Sequence, residues 1–163
     1  KNWINKNWNR WIIMKLFKLT LIAIILLIGP SVFGQITCDS ISNVTNSYLN
    51  TSQDKQLNRV FISDGQVYRA FLDEDQSTEF EVTLYGGSTY RVAASAGVAE
   101  NYLIFEIWDK SRNLLFSNKD YNNAPYWDFN IESTIDCIVE AKLDMNKKLS
   151  GCAIMMIGFE KRK

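Results

Sequence analysis

Residues 80–92, Phe-Glu-Val-Thr-Leu-Tyr-Gly-Gly-Ser-Thr-Tyr-Arg-Val, contain two runs in which apolar and polar side chains alternate, separated by Gly86-Gly87. Successive side chains of a strand point to opposite faces, so each run predicts a strand with one buried face. Residues 103–108 alternate in the same way, and further β-rich runs occupy residues 67–72, 114–117, 127–131, 135–143 and 152–159. About eight strands joined by short turns predict an all-β protein, an antiparallel β-sandwich or jelly roll.

One segment near the start of this pattern has a different period. In residues 39–51, the apolar side chains Ile41, Val44, Tyr48 and Leu49 fall on one side of a helix. We therefore expect a short N-terminal helix, or alternatively a loop, that caps one end of the sandwich.

Residues Met14 to Gly34 have the layout of a secretory signal peptide. Two lysines precede an apolar run at 19–28, and small residues occupy the positions before a cut between Gly34 and Gln35. That run is shorter than the ~20 residues that span a bilayer, and no later run is longer. We predict that residues 1–34 are an upstream extension and a signal peptide, with translation starting at Met14. Residues 35–163 are then a single domain, periplasmic or extracellular, without a membrane span.

The charge balance changes when this leader is removed. The full chain has 18 basic and 18 acidic residues, but five of the basic ones precede residue 35, so the mature chain has 13 basic residues and a net charge of −5. An acidic domain of this kind has no electrostatic reason to bind nucleic acid or an anionic membrane.

The composition also restricts catalysis. The chain contains no histidine, which excludes Ser-His-Asp and Cys-His nucleophile pairs and removes the commonest zinc ligand. Two carboxylates from the set Glu106, Asp109, Asp120 and Asp128 could serve glycoside hydrolysis. Acidic residues at strand ends and turns are more often simply solvated, so we predict a protein that is not an enzyme and has no cofactor.

Asp73, Glu74 and Asp75 form the densest acidic cluster, and their oxygens are the ligands that Ca²⁺ prefers. The cluster lacks the regular spacing of a calcium loop. A plain acidic turn is therefore the favoured interpretation, with a calcium site as the alternative.

Export permits disulfides among the three cysteines, Cys38, Cys137 and Cys152. If the last two strands pair through a tight turn at residues 144–145, Cys137 lies opposite Cys152, and we predict a bridge between them with Cys38 unpaired. A longer loop centred near residue 146 or 147 would instead separate the pair and leave two buried thiols.

Aromatic residues provide the candidate binding surface. Trp108, Tyr121 and Tyr126 lie on or beside neighbouring predicted strands and next to acidic residues, as in surfaces that stack on sugars or bind proteins. Trp108 is out of phase with the apolar positions of its strand, which predicts a position at the sandwich edge. Trp127 is in phase with Phe129, which favours the core.

The strand and turn pattern resembles the bacterial pre-peptidase C-terminal domain. The resemblance rests on residues 80–92, on the strand and turn at 105–113, and on the late strand at 135–143, and it covers roughly residues 66–159. It implies a β-sandwich of exported proteins that is usually a non-catalytic accessory module. The leader cut and the closing residues 151–154 also resemble small exported proteins of Bacteroidetes-type bacteria.

From these features we expect a secreted, non-enzymatic binding or accessory module for a protein or carbohydrate partner. The alternative is a structural component of the cell envelope without a small ligand. Exposed, clustered aromatic rings would favour binding, whereas a uniformly polar surface would favour the structural role.

Overall fold

A computed structural model of the protein describes residues 38–97 and 102–161, which form two antiparallel sheets and an N-terminal helix. The predicted all-β sandwich is thereby confirmed, while the predicted signal peptide lies outside the described residues. The helices are α1 (Cys38–Leu49) and α2 (Ser52–Gln56), and a 3₁₀ turn spans Asn118–Tyr121. The strands are β1 (Phe61–Ser63), β2 (Tyr68–Leu72), β3 (Ser77–Leu84), β4 (Ser88–Ser95), β5 (Leu103–Asp109), β6 (Leu114–Ser117), β7 (Tyr126–Ile131), β8 (Ile135–Leu143) and β9 (Gly151–Glu160).

The strands divide into a five-stranded sheet, sheet A, and a four-stranded sheet, sheet B. In sheet A, β9 pairs with β4, β4 pairs with β7, and β1 and β2 both pair with the other side of β9. In sheet B the order is β3-β8-β5-β6. Strands β7 and β6 therefore end their respective sheets, and their side chains meet in the aromatic contacts described below.

The core lies between the inner faces of the two sheets. Leu103, Phe105 and Ile107 of β5 are at most 3% exposed and pack with inward side chains of β4 and β9, such as Val92 and Met155. The apolar positions of the alternation that predicted β5 are thus the positions that face the core between the sheets. Burying a side chain of this size contributes roughly 1.5–3 kcal/mol to folding.

Helix α1 packs on the outer face of sheet A. Its buried residues Ile41 and Leu49 contact Ala93, Ile154 and Met156, which point away from the main core. The sequence predicted the helix correctly, but it covers a sheet face instead of capping an end of the sandwich. Strand β9 is consequently buried on both faces along most of its length.

The predicted disulfide is wrong in its pairing. Cys152 is bonded to Cys38, the first residue of α1, and Cys137 is a buried free thiol. The reason is topological: β8 and β9 lie in different sheets, and residues 144–150 carry the chain from one to the other. Cys137 faces the space between the sheets, whereas Cys152 faces α1, so the two cysteines point into different layers.

Candidate functional site

Among the described residues, the most deeply buried charged group is Arg91, which is 2% exposed on the outer face of sheet A. Its guanidinium donates to both carboxylate oxygens of Asp54 and to both of Asp128. It also donates to the carbonyl oxygens of Tyr48 and Leu49, at 3.2 Å each. Because acceptors occupy all of its N–H directions, Arg91 is a structural residue that ties the end of α1 to the sheet.

Two aromatic rings enclose the same guanidinium. Its central carbon lies 4.0 Å from the ring centroid of Phe61 and 4.4 Å from that of Tyr126. Contacts of this kind between a cation and the face of a ring are attractive. Tyr126, a candidate binding residue, is therefore a partly buried neighbour of Arg91 beneath α1, where it also stacks against Tyr48.

The four acidic residues considered for glycoside hydrolysis do not come together. Asp128 belongs to the Arg91 network on sheet A, whereas Glu106 lies on sheet B and accepts hydrogen bonds from Lys142 and Ser117. Asp109 accepts hydrogen bonds from the backbone and side chain of Asn113 within its own turn. Those bonds lower the pKa of Asp109. The fourth acid, Asp120, is exposed in the 3₁₀ turn.

The acidic cluster Asp73, Glu74 and Asp75 forms an exposed turn between β2 and β3. The turn is closed by the backbone N–H of Gln76, which donates to the carbonyl of Asp73 at 3.1 Å. Within residues 38–97 and 102–161, no three acidic or cysteine side chains are grouped so that they could hold a metal ion.

Trp108 lies on the outer face of sheet B, partly buried between Ile138 and Leu114 of the neighbouring strands. Its indole N–H is buried and has no acceptor among the described residues. Two cations of the following turn, Lys110 and Arg112, form ion pairs with Glu81 and Glu79 on the same face. Trp108 therefore lies on the charged outer face of sheet B and not at the predicted edge of the sandwich. This face is remote in the fold from Tyr126.

The third candidate, Tyr121, is half exposed and belongs to an aromatic group at the edge of the sandwich. Its ring stacks on Phe116 at 5.6 Å and approaches Trp127 to 4.1 Å between centroids. Phe116 also meets Trp127 at 5.2 Å and Phe129 edge-on at 4.9 Å. Four rings from β6, β7 and the 3₁₀ turn thus join the edges of the two sheets.

A cleft of about 240 Å³ opens between the sheets at this edge, and we call it the β6–β7 cleft. Its lining side chains are almost entirely apolar: Leu84, Ile107, Leu115, Phe116, Trp127, Phe129, Ile131, Ile135 and Cys137. Leu115 is 49% exposed and marks the opening, while Cys137 is fully buried inside.

The cleft forms where the edge strands of the two sheets, β6 and β7, lie opposite each other. Strand β6 has only four residues, so sheet B offers a short edge to the longer edge strand β7. Trp127 is partly buried and packs against the core, which agrees with its phase in the sequence. Sequence reasoning missed Leu115 and Phe116, for which the only signal was a short β-rich run.

The Cys137 thiol in the cleft is a poor nucleophile. The Cys137 Sγ contacts the carbonyl oxygen of Val82 at 3.6 Å. Burial raises the pKa of this thiol, and the neighbouring Asp136 carboxylate adds to the effect. A raised pKa disfavours the thiolate, which is the nucleophilic form.

The sequence matches no protein-family model and no curated protein. In the part of the chain that the structure describes, no helix has both the length and the apolar character needed to cross a membrane.

Proposed function

We propose that the chain is an exported, non-enzymatic β-sandwich, a binding or accessory module of the pre-peptidase C-terminal type. Its partner is a protein or a carbohydrate, and the binding site is the β6–β7 cleft with its rim. The observation that carries the proposal is the exposure of Leu115 and Tyr121 around the partly buried ring of Trp127. Apolar side chains grouped at an opening are typical of interaction sites.

The lining favours a protein over a carbohydrate. Sugars present hydroxyl groups, which lose free energy on burial unless they are hydrogen-bonded. Inside the cleft the only side chains with a donor group are Trp127 and Cys137. Apolar side chains of a protein partner match this lining better.

Adjacent leucines offer a matched test. Leu114 and Leu115 are both 49% exposed on β6, but only Leu115 lines the cleft. The exported protein, immobilised, is incubated with envelope and secreted proteins of its source, and retained proteins are identified. We expect Leu115→Asp to lose a partner that the wild type and Leu114→Asp both retain, with thermal melting showing that both variants are folded.

The outcomes separate the alternatives. Retention of one partner by all three proteins would contradict the role of the cleft. Loss of retention upon addition of soluble glycans would identify a carbohydrate partner. Absence of any retained partner would overturn the binding proposal in favour of a structural component of the envelope.

Export is supported by the sequence pattern at 14–34 and by the disulfide between Cys38 and Cys152, which fits an oxidising compartment. We expect the mature chain to begin at Gln35, as checked by N-terminal sequencing and intact mass of exported material. The bridge occupies the Cys38 sulfur, so a chain starting at a lipid-modified Cys38 would contradict both the cut site and the disulfide.

A further inference from the structure

We propose that the interior of the β6–β7 cleft binds a small, neutral, apolar molecule, either an aromatic ring or a short alkyl chain. The inference deepens the proposed function because it uses the same opening. It concerns the space beneath the rim and is tested at Cys137, whereas the partner proposal is tested at Leu115 on the rim.

The size of the space sets the size of the ligand. An apolar cavity of about 150 Å³ lined by leucine, isoleucine and phenylalanine stays dry and binds benzene. The β6–β7 cleft is larger, at about 240 Å³. It therefore has room for a substituted ring or for an alkyl chain of similar volume.

The chemistry of the lining sets the charge of the ligand. No charged side chain lines the cleft, and the buried Cys137 sulfur is directed to the carbonyl oxygen of Val82. A charged group placed here would lose its hydration without gaining a counter-ion. A neutral apolar molecule instead exchanges water for contacts with rings such as Trp127 and Phe129.

The entrance is formed by side chains that can move. Leu115 is half exposed on the short edge strand β6, and Tyr121 lies half exposed against Phe116 and Trp127. Exposed side chains change rotamer within picoseconds to nanoseconds, so entry requires no rearrangement of the sheets.

The test uses toluene as the probe and isoleucine methyl groups as reporters, in NMR spectra of the exported protein. Ile107, Ile131 and Ile135 line the cleft, whereas Ile41 of α1 and Ile154 of β9 pack in the layer on the opposite face of sheet A. We expect toluene to shift the first three signals saturably and to leave the other two unchanged. Benzoate, of similar size but charged, should shift none of them.

A cleft-filling variant provides the second arm. Cys137→Leu adds apolar volume at a fully buried position in the lining and should abolish the toluene shifts. Unchanged methyl signals from Ile41 and Ile154, which lie outside the cleft, would show that the variant is folded. Should Cys137→Leu fail to fold, Cys137→Ala keeps the test decisive, since it enlarges the space and should retain the shifts.

The proposal is overturned by the absence of saturable shifts in the wild type, or by shifts of equal size at Ile41 and Ile154. Its failure is distinguishable from that of the proposed function. Partner retention depends on the rim and is tested by Leu115→Asp, whereas toluene binding depends on the interior and is tested at Cys137.

Discussion

Arg91 of β4 donates to both carboxylate oxygens of Asp54, at 2.5 and 3.1 Å, and so joins α2 to the middle of sheet A. Both side chains are at most 4% exposed. Asp54 also accepts hydrogen bonds from the backbone and hydroxyl of Thr51, in the capping box that begins α2. One carboxylate therefore takes part both in the capping box of α2 and, together with Asp128, in the pairing of a buried cation.

Acid should weaken the fold through this carboxylate. Burial alone would raise the pKa of Asp54, but its hydrogen bonds from Arg91 and Thr51 outweigh burial and lower the pKa from 3.8 to about 2. Because folding lowers the pKa, the stabilisation is complete above about pH 4 and is lost as the pH falls through about 2. The lowering corresponds to about 2 kcal/mol of unfolding free energy.

Denaturant unfolding at a series of pH values checks this prediction. Asp54→Asn should cost about 1.5–3 kcal/mol at neutral pH, since it removes one of the two carboxylates that bond the buried Arg91 guanidinium, the other being Asp128, and should flatten the acid limb of the profile. Asp136→Asn is the control, because Asp136 is exposed and bonded to Thr83. If Asp54→Asn kept the full acid dependence of the wild-type unfolding free energy, the assignment of that dependence to Asp54 would be wrong.

The disulfide should account for two of the three cysteines. Unfolded but unreduced protein should expose one thiol to alkylation, and reduction should expose three, with Cys38 and Cys152 in one linked peptide. Cys38→Ser should cost about 2–5 kcal/mol, because the bridge joins residues 114 apart and restricts the unfolded chain. Cys137→Ala keeps the bridge and serves as the control, and a linked peptide containing Cys137 would refute the pairing.

Trp108 and Phe105 of β5 should respond differently to truncation. Phe105 is fully buried, so Phe105→Ala should cost about 3–5 kcal/mol. Trp108 is only partly buried, and Trp108→Ala should cost less. Trp108→Phe should cost under about 1 kcal/mol, since it removes a buried N–H that has no acceptor in the described residues. Thermal and denaturant unfolding measure the stability of all three variants. If Trp108→Phe lost as much unfolding free energy as Phe105→Ala, the indole N–H of Trp108 would have to be hydrogen-bonded in the fold.

Local pattern was sufficient to predict most of the strands. The predicted run 135–143 coincides with β8, because its alternating side chains face a single core. Strand β1 has only three residues and was not predicted, since so short a run shows no period.

The disulfide and the cleft required knowledge that the local pattern does not contain. The pairing of Cys152 depends on which sheet β9 joins, and that choice is made by contacts with strands far away in the sequence. Tyr121 was identified as an aromatic residue next to an acidic residue and close to a predicted strand, but Phe116 became significant only because the edges of two sheets meet there.

Helix α1 is attached to sheet A at both ends by chemically different means. Its first residue, Cys38, is bonded covalently to Cys152, and its last carbonyls, of Tyr48 and Leu49, accept from Arg91. A reductant acts on the first attachment, whereas acid acts on the second only indirectly, by protonating the Asp54 carboxylate that pairs with Arg91, so neither agent alone frees the helix. In an oxidising environment the helix would remain tethered through acid exposure, and the apolar side chains beneath it could be covered again when the pH recovers.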